Sequence, residues 1–138
     1  MSALLTIVLG VTLLTVVGIA YGGTFLLRVT SGAQGANALQ KTFFRAGHAH
    51  AGVLVTLGLV VALVTNAAGV SDIWSAVGSI AVLSAAIFIP AGFFLSVLGA
   101  DPQKPGRAIA AVWVGAATLT AGLVVSGVGV VVAGVGAL

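Results

Sequence analysis

The sequence predicts an all-α integral membrane protein: a four-helix bundle running up, down, up, down. Three observations carry that expectation. Of 138 residues, 60% are hydrophobic and only 5% are charged, whereas about a quarter of a soluble domain's residues are charged. The apolar residues fall into four long runs, at about 3–27, 42–67, 73–98 and 108–132. Each run, at ~1.5 Å per residue, spans a hydrocarbon core of ~30 Å as a helix. Hydrocarbon offers a backbone amide no partner outside its own helix, so runs of this kind are expected to be helical throughout. The length suits one membrane domain covering 1–138.

The first run, about 3–27, carries no charge until Arg28 ends it. It has no positive n-region and is longer than a signal-peptide core, so it reads as a retained span. Tyr21 and Phe25 lie near its far end, where aromatic rings suit the interface. Val29 to Gln40 collects Gly, Ser, Gln and Asn and reads as a loop. Lys41 and Arg45 flank the start of the second span, and Asn66 and Gly69 mark its exit. Asp72 has the position of a helix N-cap for the third span, and Trp74 anchors that interface. Pro90 lies within the third span, where it removes a backbone donor and predicts a packing kink. Phe88, Phe93 and Phe94 are expected around the bend.

Asp101-Pro102-Gln103-Lys104-Pro105-Gly106-Arg107 holds two prolines and a glycine, a strong turn signal. The fourth span is crowded with small residues, among them Gly115, Ala116, Ala117, Ala121, Gly122, Ser126, Gly127 and Gly129. Such residues let helix backbones approach closely.

Arg28, Lys41, Arg45, Lys104 and Arg107 all fall at the first and third connections, and none falls at the second. With four spans those two connections share a side. The positive-inside rule then makes that side cytoplasmic and puts both termini outside, in a multi-pass protein of the cell membrane.

Composition also excludes function classes. The net charge of +3 comes from five Lys/Arg against two acids, too few cations for a nucleic-acid surface. With no cysteine, disulfides, thiolate metal sites and covalent haem attachment are excluded. No set of nucleophile, base and acid exists, so a hydrolase is not expected. Copper or zinc held by one chain would need more ligands than two histidines and a single methionine supply.

What remains is Thr42 to Gly52, which holds both histidines. Ionisable side chains inside a membrane span are costly, and their default reading is functional. His48 and His50 are two apart, so on one helix they diverge by about 200° and cannot share one ion. That divergence points to a homo-oligomer, a dimer or trimer, with one histidine inside the bundle and the other at a neighbour. Neutral imidazole is the usual axial ligand of noncovalent haem. Gly47 and Ala51, with Ala46, Ala49 and Gly52, remove bulk around the pair, as a flat macrocycle would need. Arg45 lies one turn before His48, where a propionate would emerge. The expected cofactor site is thus His48, His50, Arg45, Gly47 and Ala51, with His48 and His50 as the candidate metal ligands. Packing alone also accounts for the small residues, and snorkelling for Arg45.

Arg45-Ala46-Gly47-His48-Ala49-His50, followed by Leu54-Val55-Thr56-Leu57-Gly58, resembles the second helix of haem-copper oxidases and nitric oxide reductases. The likeness covers residues 42–61. It implies haem b, with His48 as axial ligand and Arg45 preceding it. That family's catalytic subunit has more spans, and no other helix here supplies a histidine. The resemblance therefore implies a small haem protein for electron transfer with a redox partner, haem handling or gas sensing. The alternatives are a structural or accessory subunit, or a small transporter without cofactor.

Overall fold

The computed structural model describes residues 1–138 and is helical throughout, with no strand. Four helices follow in order: α1 (Ala3–Thr30), α2 (Ala38–Ala67), α3 (Asp72–Leu95) and α4 (Ala110–Val135). A short 3-10 turn, Arg107–Ile109, leads into α4. Each of the four is long and apolar enough to cross a membrane. The chain is thus a multi-pass helical protein by length and composition.

Two contacts fix which ends lie together. Asn37 Nδ2 donates to Asp101 Oδ1 at 2.7 Å and to the Pro102 carbonyl at 2.8 Å. The first and third connections therefore sit at one end, with all five cations in them or on the helix ends that flank them. At the other end the amino group of Met1 lies 3.4 Å from Asp72 Oδ1. Asp72 is the first residue of α3, not its cap. Ser71 occupies the cap position and makes no side-chain capping bond.

α3 is the central helix. Half of its most apolar stretch is buried, against 11% for α1 and for α4. It meets α4 through small residues. A Cβ on Gly122 would lie 2.8 Å from the Gly78 carbonyl oxygen and 2.9 Å from the Val82 nitrogen, and one on Gly92 2.7 Å from the Val112 nitrogen. The buried residues of α4 are Gly115, Gly122 and Ser126, one stripe at helical spacing. Ala116, Ala117, Thr120 and Ala121 line a shallow recess on α4's outer surface instead.

On its other side α3 packs on α2. Leu54, Ala85 and Ile89 form the core there. Near the exit of α2, Thr65 Oγ1 donates to the Val61 carbonyl at 2.8 Å, so the 2.6 Å bond between Thr65 and Ser75 is donated by Ser75. α2 ends in a Schellman arrangement. Val70 N–H donates to the Thr65 carbonyl and Gly69 N–H to that of Asn66, with Gly69 at φ +74°.

α1 lies against α2 and packs on the bundle at two levels. Leu5 and Leu9 pack with Ala62 and Leu83. Val29 packs with Phe44 and Val97. Phe25 meets Phe44 edge-on at 5.2 Å, and Leu26 packs on the same cluster; an open groove runs along α1 only from Ile7 to Ile19.

Helix boundaries differ from the sequence expectation in four places, one of them the end of α4, which runs on to Val135 rather than 132. α2 begins at Ala38, inside the expected loop, because Asn37 and Gln40 form a capping box: Gln40 N–H donates to Asn37 Oδ1 at 2.9 Å and Asn37 N–H to Gln40 Oε1 at 3.0 Å. α1 runs on to Thr30, and α3 stops at Leu95. The expected aromatic cluster at Pro90 is divided. Phe93 and Phe94 pack on Phe43 and Phe44 of α2, while Phe88 is exposed.

Candidate functional site: two imidazoles on opposite flanks of one helix

The rotation of α2 at the histidines is set by Gly47. It is buried, and a Cβ on it would come within 2.8 Å of the Phe94 ring and 3.3 Å of Phe93 Cβ. The glycine therefore points straight at α3, and the two phenylalanines occupy the room that its missing side chain leaves. Gly47 is a close-packing position here and does not line an open space. With Gly47 facing α3, one residue onward is about 100° around the helix and three onward about 60° the other way. His48 and His50 thus emerge on opposite flanks.

His48 turns to α1. Its imidazole lies beside Gly22 and Gly23: a Cβ on Gly23 would sit 3.6 Å from Nε2, and one on Gly22 3.8 Å from Nδ1. The side chain is half-buried. It makes no hydrogen bond, among side chains or to backbone, anywhere in the molecule. Ala51 and Val55 continue its row along α2, and Ala51 lines the groove between α1 and α3. Arg45, exposed, continues the same row toward the basic end, about 60° from His48 around the helix.

His50 turns the other way and is exposed. Its ring packs against Phe93 with centroids 5.2 Å apart, and Phe93 in turn meets Phe43 edge-on at 5.5 Å. His50 Nδ1 lies 2.7 Å from the Ala46 carbonyl oxygen. A carbonyl only accepts, so Nδ1 carries the proton and donates. The tautomer is thereby fixed, and the lone pair belongs to Nε2. Ala46, half-buried, and Ala49 and Val53, both exposed, are its neighbours on the surface of α2.

The five residues singled out from sequence therefore do not converge. Gly47 belongs to the α2–α3 contact. His48, Ala51 and Arg45 share the flank facing α1. His50 stands alone with Phe93. No group of three or more His, Cys, Asp or Glu side chains comes together. Asp72 and Asp101, the two acids, lie at opposite ends of the bundle.

Sequence reasoning missed one functional-looking feature: the polar clamp at the basic end. Gln40 is buried, and its Nε2 donates to the carbonyls of Val97 at 3.1 Å and Gly99 at 3.0 Å. It caps the end of α3 from α2. The signal available was the Asn37-to-Gln40 spacing itself, a capping box at a helix start.

Compared with family models, curated proteins and solved structures, the chain matches none.

Proposed function

We propose that this chain is an integral membrane haem b protein in which His50 is the axial ligand. The single observation behind this reading is the 2.7 Å bond from His50 Nδ1 to the Ala46 carbonyl. Such a bond orients an imidazole and leaves Nε2 free for a metal. Here the free nitrogen belongs to an exposed ring on an apolar flank, within a span that lipid would otherwise cover. A bare divalent ion would ask for three or four protein donors at one place. Haem brings four nitrogens of its own and needs one or two from protein, which suits a lone imidazole flanked by Phe93.

His50 would hold the iron, with Phe93 and Phe43 bracing the ring and Ala46 and Ala49 keeping its surroundings shallow. The bound group would supply one-electron chemistry or a site for a diatomic gas. An exposed ligand on the bundle's outer flank also supports assembly. A second copy would cover His50 and bring imidazoles of its own to that flank, making a dimer or trimer. The likeness of residues 42–61 to the oxidase helix favours His48 instead, but His48 has its nitrogens turned to the glycines of α1. The basic end, holding all five Lys/Arg, is assigned to the cytoplasm and both termini to the outside.

The test is the absorption spectrum of protein expressed with ample haem. Wild type shows a Soret band and His50→Ala loses it, while His48→Ala keeps it. A colourless wild type sinks the haem reading and leaves a structural subunit. Loss in His48→Ala alone moves the ligand to His48.

A further inference from the structure

We propose that His50 of two copies holds one haem between them across a two-fold axis normal to the membrane, with both axial positions filled, so that the pair exchanges electrons and binds no gas. This inference rests on the haem reading above and narrows it.

Pairing follows from the proton on His50. Its Nδ1 donates to the Ala46 carbonyl at 2.7 Å, and a neutral imidazole carries one donor nitrogen and one acceptor. Nε2 is therefore an acceptor to which nothing in this chain donates. The ring is exposed on one flank of a helix long and apolar enough to cross a membrane. Lipid tails offer no donor there, and an unmet polar atom is costly. An electron-pair acceptor, such as iron, satisfies a lone pair so placed.

That flank of the chain supplies one such lone pair and no second. His48 is turned to Gly22 and Gly23 of α1, and Lys41 and Arg45 lie on His48's row. Cysteine is absent, and the one methionine, Met1, sits at the far end beside Asp72. Haem takes one or two axial ligands from protein. One chain fills one position, and the other is filled by a second copy.

Two-fold symmetry brings the same patch of both copies face to face, and an axis along the membrane normal keeps both copies in one topology. Each His50 Nε2 then faces its counterpart, two acceptors with no proton between them. They repel each other until a metal lies between. A three-fold axis would bring three imidazoles to one point, whereas axial ligands are two and opposed. The surface around His50 admits a close approach. Ala46, Ala49 and Val53 follow one another at helical spacing, with Ala49 and Val53 exposed, and small residues let helices come near. Phe93, its ring centroid 5.2 Å from that of His50, steadies the imidazole from its own chain. With both axial positions filled no place remains for a diatomic gas. Of the two chemistries offered above, one-electron exchange is the one left.

The experiment uses the full-length protein, expressed with ample haem b and purified in mild detergent. One haem is expected for every two chains, in a particle with the mass of two chains. The reduced protein should keep its spectrum under carbon monoxide. Differently tagged wild-type and His50→Ala copies are then coexpressed and pulled down together, with two tagged wild-type copies as the reference. With one imidazole left, the mixed pair should lose its haem or show a Soret band that carbon monoxide shifts. A His50→Ala copy that does not join the wild type at all counts the same way, since the pairing then needs both imidazoles. Ala49→Trp, a change at an exposed position, should separate the copies without disturbing the fold, while His48→Ala should change nothing. Three results overturn the pairing and leave His50 the ligand of a single copy: a coloured wild type with one haem per chain, a wild type whose spectrum carbon monoxide shifts, or a mixed pair that is coloured and inert to it. A colourless wild type overturns the haem reading and this inference with it.

Discussion

Gln40 and His50 show how one polar side chain inside an apolar protein acquires a fixed geometry. Gln40 uses both ends of its amide: the oxygen accepts from Asn37 N–H, and the nitrogen donates to two carbonyls past the end of α3. Gln40→Ala leaves those groups unmet near the membrane surface. We expect a loss of about 2–3 kcal/mol, read as a lowered unfolding midpoint in mild detergent. An unchanged midpoint would mean that water replaces the clamp. His50 has its proton placed by Ala46, so the free nitrogen is defined before any ligand arrives. His50→Ala should therefore remove the Soret band outright, while His50→Gln, which keeps a polar side chain, should not restore it. On the other flank, Gly23→Ala should be tolerated, since its Cβ would sit at ordinary contact distance from His48. Gly23→Leu should displace the His48 ring and lower the unfolding midpoint.

At the scale of elements, the α3–α4 contact depends on the absence of side chains. Gly122→Ala would place a methyl 2.8 Å from the Gly78 carbonyl and 2.9 Å from the Val82 nitrogen. Both are backbone atoms that cannot swing aside, so the helices must separate. Overpacking of this kind costs about 1–3 kcal/mol. Gly127→Ala on the same helix meets nothing within 4 Å and should be neutral or stabilising by up to ~1 kcal/mol. Thermal unfolding of the two variants side by side checks the contrast. If both behave alike, close backbone approach is not what holds α4. α1 differs from the other helices. It buries only Leu5, Leu9 and Val29, and unlike α4 it has no close backbone approach to a neighbour, so it is the element held least tightly.

For the whole molecule, the five cations at one end give the bundle a sidedness. Tags at either terminus should be reached from outside the cell, and a reporter placed within 101–107 should report the cytoplasm. The reverse result would remove the topology argument and make Arg45 more plainly a ligand-binding residue. Assembly is checked by mass in mild detergent. Two or three protomers are expected, and a strictly monomeric wild type that still binds haem would show that no second copy covers His50.

Four spans, their order and their charge asymmetry were legible in the sequence, because those follow from local composition: an apolar run of this length has one stable form in hydrocarbon. The Gly69 exit of α2 was legible for the same reason, since a Schellman end is written in neighbouring residues. The divergence of His48 and His50 was legible too, being a property of any regular helix. What each histidine faces was not, because that depends on which side of α2 meets α3. Tertiary packing decided it through Gly47, whose missing side chain admits Phe93 and Phe94 and so fixes the helix's rotation. The same packing made the small residues near the histidines serve helix contact at Gly47 and groove wall at Ala51, two roles that identical composition cannot distinguish. The slot beside α1 was equally beyond the sequence. It lies along the Ile7–Ile19 stretch of α1, and no local pattern records a gap between elements far apart in the chain.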